Sequence, residues 1–460
     1  MFASVSRAAW RFGRLSCRGA GDVHYGPGMP SRSSGRTSRA LALAAGLVAV
    51  LAAAGCSDEP TPIPPAAPPA QSGTTGPGVQ ASHSGSTASL GASTAPGPTA
   101  GAAPSTGRTA PGSAAGRCAI ATVAQLAPAA RVGQLLMVGV QPGSAATQVQ
   151  TALRTHQVGS VIFLGGWNGA VAVKAATDQL QATSPGPDLF VAADQEGGAV
   201  QQLKGTGFSP LPSALRQGTL DPASLRKQAQ GLARELTAAG VNVDLAPVAD
   251  TVATDFAGQN GPIGKYSRQF GSDPTAVADD VATVIDGLQS TGVVATAKHF
   301  PGLGRISGNT DSTAAGITDQ TTSATDSYLI PFQRAIAHDV GMVMISSGRY
   351  PKLDAANQAM FSEPIITGLL RTQLGYQGVT ITDDVGAAKA VAAIPIGERA
   401  TRFIAAGGDI VLTAVPAQIP VMAAAVVERA KSEPAFAAKV DAAATRVLTL
   451  KAAYGLLRCG

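Results

Sequence analysis

Residues 118–460 predict an α/β fold, a single (β/α)8 barrel of the TIM type, behind a signal peptide at residues 1–55 and a disordered tether at 56–117. Two observations carry this. Eight short apolar or β-branched runs recur along the body, and each leads through a Gly-rich or acidic loop into an Ala-rich amphipathic stretch. Apolar strands that alternate with helices describe a parallel sheet covered on its outside. Eight such units favour closure into a barrel over an open doubly wound sheet.

The expected strands are 134–140, 160–164, 189–193, 241–247, 293–299, 340–346, 378–382 and 409–413. Helical patterns lie between them, for example at 222–239, 276–290, 328–337, 362–374 and 397–406. The body, about 340 residues, suits one large barrel better than two small domains.

The N-terminal part reads differently. Arg32, Arg36 and Arg39 lead into a stretch of about 14 apolar residues from Leu41, too short to span a bilayer but suited to a signal-peptide core. It ends in Ala53-Ala54-Gly55-Cys56, which resembles a bacterial lipoprotein signal and implies lipid on the Cys56 sulfur. Ala53 stands where that motif usually has Leu, so an ordinary secretory signal is the alternative. Met29 precedes a complete signal by itself. The tether is dominated by Ser, Thr, Ala, Gly and Pro and lacks the apolar side chains needed to offset ordering entropy. Its reach would be roughly 40–45 Å.

The chain has a formal charge of +5 and a pI of about 9.1, but the basic character is local. Residues 1–55 hold seven arginines and one aspartate, so the remainder is close to neutral. A body without a basic stripe argues against nucleic-acid binding. Of the four cysteines, Cys17 and Cys56 fall in the leader, leaving Cys118 and Cys459 at the two ends of the body. A closed barrel brings its ends together and an exported protein meets oxidant, so a Cys118–Cys459 disulfide is expected. Two unrelated thiols are the alternative. No ligand spacing suggests a metal.

Chemistry on a barrel belongs where strands end and the following loops begin. Asp194, Gln195 and Glu196 follow the third strand, Asp250 the fourth, Lys298 and His299 end the fifth, and Asp383 and Asp384 follow the seventh. Some rim aspartates cap helices instead, and Asp384, before Val385-Gly386-Ala387, is expected to be one of these.

These residues carry a resemblance. Ala193-Asp194-Gln195-Glu196-Gly197-Gly198, Leu245-Ala246-Pro247-Val248-Ala249-Asp250, Lys298-His299-Phe300-Pro301-Gly302 and Ile381-Thr382-Asp383-Asp384 are similar to the ordered motifs of glycoside hydrolase family 3. They most resemble its bacterial β-N-acetylglucosaminidase branch. The resemblance implies that Asp383 is the nucleophile of a retaining mechanism. It also implies that Asp194, Arg268, Lys298 and His299 bind the sugar. Adjacent strand residues face opposite sides, so Lys298 and His299 can both reach a sugar only if the strand bends or ends there; Pro301 and Gly302 suit such a break.

Two positions depart from the family pattern. The loop after the fifth strand usually carries an Asp-x-His pair whose histidine is the acid/base; here Asp311 matches the aspartate and Thr313 stands at the histidine position. A threonine hydroxyl does not titrate near neutrality. Of the five histidines, His24 and His83 fall in leader or tether and His156 and His338 precede strands, leaving His299. The acid is then Asp311 with a raised pKa, or His299 or Glu196, or else the leaving group is activated, phosphate is the nucleophile or turnover is weak. The second departure is Gln202, where the family has a binding arginine; Lys204 is nearby.

The expected function is removal of terminal β-N-acetylglucosamine from cell-wall saccharides, without a cofactor, by a lipid-anchored or secreted monomer. A β-glucosidase or β-xylosidase of the same family, or a weakly catalytic glycan-binding lipoprotein, are the alternatives.

Overall fold

A computed structural model describes residues 112–143 and 146–459; the expected signal peptide, most of the tether and Cys56 lie outside them. Eight strands form one parallel sheet: β1 (Leu136–Val140), β2 (Ser160–Phe163), β3 (Phe190–Ala193), β4 (Val243–Asp244), β5 (Val294–Phe300), β6 (Met342–Ile345), β7 (Val379–Thr382) and β8 (Val411–Thr413). Hydrogen-bonded neighbours run β7-β6-β5-β4-β3-β2-β1-β8. The remaining edges, β7 and β8, meet at a parallel bridge between Ile381 and Ile410. There Thr382 N–H donates to the Ile410 carbonyl and Ile410 N–H to the Thr380 carbonyl, each at 2.9 Å. The sheet is thus a nearly closed barrel, and almost every strand residue is buried because helices cover the outside.

All eight expected strands occur. The fourth is shorter than expected because Pro247 has no N–H for the ladder. That segment still pairs through its carbonyls, Ala246 O accepting from Thr296 N–H at 2.8 Å and Pro247 O from Lys298 N–H at 3.2 Å.

The α-helices of seven residues or more among the described residues are α1 (Ala114–Gln125), α2 (Pro128–Gln134), α3 (Ala146–His156), α4 (Ala170–Thr183), α5 (Pro222–Ala238), α6 (Pro274–Gln289), α7 (Ile330–Ala337), α8 (Ile396–Ala405), α9 (Ile419–Ser432) and α10 (Pro434–Ala453). Local chemistry sets their starts. Asp221 and Asp273 each accept two backbone N–H groups of the first turn, with proline next in sequence, so α5 and α6 begin there. Ser113 caps α1 in the same way, which carries helical order back beyond residue 118. The expected helix at 362–374 is instead a π-helix, Pro364–Gln373, whose exit bond runs from Leu374 N–H to the Leu369 carbonyl at 2.9 Å. Its β-branched residues and Gly368 weaken the tighter ladder.

Cys118 in α1 and Cys459 near the C-terminus form a disulfide that ties the two ends of the body, with Cα atoms 5.6 Å apart. The rim where strands begin holds stabilising groups. Asp409 is buried between Arg371 and Arg446, each at 2.7 Å. Lys451 of α10 is fully buried and donates to Gln134 Oε1 and to the Gly159 carbonyl, both at 2.8 Å.

Candidate active site

The opposite rim carries a cavity of about 340 Å³, and its wall includes Asp194, Arg268, Lys298, His299, Asp311, Asp383 and Asp384. Every catalytic and sugar-binding residue expected from the sequence therefore faces one space, although they come from four separate loops.

The turn after β3 and the end of β5 build a charged clamp. Lys298 Nζ lies 2.6 Å from Asp194 Oδ1 and 2.6 Å from Glu196 Oε1. Arg268 grips Glu196 with two donors, Nε to Oε2 at 2.8 Å and Nη2 to Oε1 at 2.7 Å, and a third reaches the Pro262 carbonyl. Such a bidentate pair fixes the orientation as well as the charge of both groups. Burial works against ionising Glu196, but Arg268 and Lys298 outweigh it and hold the carboxyl down at about 2. Burial likewise opposes the charge on Lys298, yet Asp194 and Glu196 raise its pKa further above the usual lysine value. Both cations stay charged, and Glu196 is a poor proton donor. That removes it as a candidate acid.

Since Glu196 is ionised well below its unfolded range, its pairing stabilises the fold above pH about 4.5, and this is lost as pH falls toward about 2. Glu196→Gln is expected to cost about 3–5 kcal/mol at neutral pH by leaving a buried charge uncompensated. It should also flatten the acid limb of a thermal-stability profile in that window. A variant as stable as wild type at pH 7 would show the clamp to be energetically idle.

His299 is positioned from behind. Its Nδ1 lies 2.7 Å from Asp250 Oδ2, and Asp250 Oδ1 accepts Leu303 N–H at 2.7 Å, so a fully buried carboxylate fixes both the ring and the loop that follows. Against a carboxylate Nδ1 carries the hydrogen, which leaves Nε2 as the free ring nitrogen. Lys298 and His299 both reach the cavity because the ladder to β6 breaks between them: Met344 pairs with Lys298 but Ile345 pairs with Phe300, skipping His299. The Lys298–His299 peptide is cis. This is the bend the Pro301-Gly302 sequence suggests.

Asp383 and Asp384 leave β7 side by side in different states. Asp384 spends both oxygens on backbone, Oδ1 on the Gly386 and Ala414 N–H groups and Oδ2 on Ala387 N–H, so it shapes the loop. Among the described residues Asp383 accepts only Asp384 N–H, at 2.8 Å. Asp311 is at the solvent side of the cavity on the loop after β5. Its carbonyl accepts Lys389 N–H at 3.0 Å and the Thr310 carbonyl accepts Ala390 N–H at 3.0 Å, so the loop is docked on the segment that begins with Asp383. The negative charge of Asp383 first, and burial second, push the Asp311 carboxyl up to about 6. Thr313 lies outside the cavity wall, its hydroxyl accepting Ala315 N–H within the loop. Gln202 lines the cavity and accepts Gly166 N–H at 3.2 Å, whereas Lys204 is exposed. Among the described residues no group of three or more His, Cys, Asp or Glu is arranged to hold a metal.

Sequence reasoning placed Asp250 on this rim without a role and passed over Asp244 altogether. The signal for Asp244 was a charged residue inside an apolar run, alternating with Asn242; the Asn242 amide bonds the backbone of 189–191.

A parallel barrel with two unsaturated aspartates and a polar clamp at its strand ends defines a hydrolase of the glycosidase type. Residues 129–450 match the profile of the glycosyl hydrolase family 3 N terminal domain. The chain belongs to glycosyl hydrolase family 3 and is a glycoside hydrolase. It is 32% identical over 290 residues to a beta-hexosaminidase of Stenotrophomonas maltophilia, a match covering 61% of this chain and 84% of the relative. Among solved structures it is similar to a beta-N-acetylhexosaminidase from Beutenbergia cavernae, with 45% identity, a TM-score of 0.69, and coverage of 72% of this chain and 99% of that one. A family 3 beta-N-acetylglucosaminidase from a Paenibacillus species matches at 27% identity and a TM-score of 0.65, over 72% of this chain and 63% of its own.

Proposed function

We propose that this enzyme is a retaining exo-β-N-acetylglucosaminidase that trims terminal non-reducing sugars from cell-wall saccharides. It is an enzyme of the β-N-acetylhexosaminidase type, a reading supported by the Beutenbergia and Stenotrophomonas relatives. Asp383 attacks the anomeric carbon and Asp311 protonates the leaving oxygen. Asp194 and the free Nε2 of His299 accept from sugar hydroxyls, while Lys298 and Arg268 donate. The observation that carries the assignment is that a lightly bonded Asp383 and an Asp311 whose carboxyl it pushes upward line one cavity. A carboxyl whose pKa is raised by its neighbour is suited to give a proton to the leaving oxygen while that neighbour attacks.

The wall source and the placement outside the cytoplasm rest on the N-terminal sequence: a signal core, a Cys56 whose surroundings resemble a lipidation site, and a long Ser/Thr/Ala/Gly/Pro-rich stretch that would serve as a tether. The enzyme acts alone, without nucleic acid or cofactor. Nitrophenyl glycosides of N-acetylglucosamine, glucose and xylose test the reading. The N-acetylglucosaminide should be cleaved at least about tenfold faster by kcat/KM, and the first product should be the β-anomer by NMR. Preference for glucose or xylose, or initial release of the α-anomer, would overturn it. Sugar binding without turnover would favour the glycan-binding alternative.

A further inference from the structure

Behind the turn that carries Asp194 and Glu196 lies a second void, of about 20 Å³, between the barrel wall and the helices outside it. Ala229 and Leu232 of α5 and Val284 of α6 border it on one side, and Gln195, Glu196, Gln217 and Asp244 on the other. A space of that size holds one water molecule if polar partners are present. A partner is waiting. Asp244, at the end of β4, is fully buried; its Oδ1 accepts Gln195 N–H at 3.1 Å, and its Oδ2 has no hydrogen-bond partner among the described residues. Buried carboxylate oxygens are rarely left unsatisfied.

The bond to Gln195 links this void to the sugar cavity. Gln195 stands between the two carboxylates that grip Lys298, so Asp244 holds the centre of the clamp from the back. Gln217, also on the void, holds the next peptide, its Nε2 donating to the Glu196 carbonyl at 2.7 Å and to the Pro212 carbonyl at 2.9 Å. The turn has little freedom to shift otherwise: Gly197 has φ of +98°, and a Cβ there would run into the Pro212 carbonyl oxygen.

We propose that the void holds one internal water bonded to Asp244 Oδ2, and that Asp244 with this water is a positioning residue that sets Asp194 and Glu196 for sugar binding. The inference rests on the assignment of Asp194 and Lys298 to the sugar. An amide can replace the carboxyl, since Asn offers the same acceptor to Gln195 N–H and a donor to the water. Leucine keeps the branched outline but leaves that N–H unpaired and the water without its partner.

The test uses the full chain with Asp244→Asn, Asp244→Leu and Asp244→Ala, each assayed on nitrophenyl N-acetylglucosaminide. Active sites are counted with a slow fluoro-sugar, so that rates refer to folded enzyme only. Asp244→Leu should raise KM about tenfold with kcat per site within about threefold, and Asp244→Asn should return KM to within about threefold of wild type. A role confined to stability would lower the number of active sites and leave KM alone. An unchanged KM in the Leu variant, or in the Ala variant where Leu does not fold, overturns the positioning role, as does an Asn variant impaired as severely as Leu. A crystallographic map with the void empty overturns the water. Wild type inactive on this glycoside would instead fail the functional reading.

Discussion

Asp383→Asn is expected to abolish hydrolysis by a factor on the order of 10³ or more while the protein stays folded. Asparagine keeps the volume and can still accept Asp384 N–H, as Asp383 does, but it cannot form the glycosyl ester of a retaining mechanism. The loss should fall on kcat rather than on sugar affinity, because the clamp formed by Lys298, Asp194, Glu196 and Arg268 is untouched. Steady-state kinetics combined with peptide mapping after a slow fluoro-sugar checks both halves. The label should sit on the peptide containing Asp383 in wild type and be absent from the variant. A variant retaining a tenth of wild-type turnover, or a label on another carboxylate, removes Asp383 from the nucleophile role.

Asp311→Asn should lower kcat/KM on natural saccharides by about 10² to 10⁴, the usual span for losing a general acid. On nitrophenyl glycosides, whose leaving groups need little protonation, the loss should be much smaller for the first step, and added azide should restore turnover in the second. The pH dependence has a definite sign. A general acid must carry its proton, and Asp311 is held up at about 6 chiefly by Asp383, so wild-type kcat/KM on saccharides should decline as pH rises through about 6. Asp311→Asn should lack that limb. The same cause makes the residue able to change role: once Asp383 is esterified its charge is gone, the Asp311 pKa falls, and the carboxylate can take a proton from the attacking water. An unchanged alkaline limb in the variant would point to His299 as the acid.

Much of the architecture was legible along the chain because barrel strands are covered on both faces. A run such as Phe190–Ala193 is apolar throughout, and the charged Asp194 that follows marks where that strand leaves the layer. The helix starts were legible for an equally local reason, since Asp221 and Asp273 bond within their own first turns. The same locality exposed the missing loop histidine: a change from an ionisable side chain to Thr313 is visible in the sequence alone.

Ion-pair partners were not legible. Glu196 reads as one more rim acid, and a candidate proton donor, until Arg268 is brought against it from 72 residues away. Asp250 and His299 look like independent polar residues until the adjacent β4 and β5 segments place one behind the other. The raised pKa of Asp311 depends on a docking contact between two loops. By itself the sequence determined the layers, the rim and the inventory of chemical groups, because those follow from periodic burial and bonds between near neighbours. The tertiary structure alone decided which carboxyls are paired and which have their pKa shifted, because a pKa depends on charges a few ångströms away in space, whatever their distance along the chain.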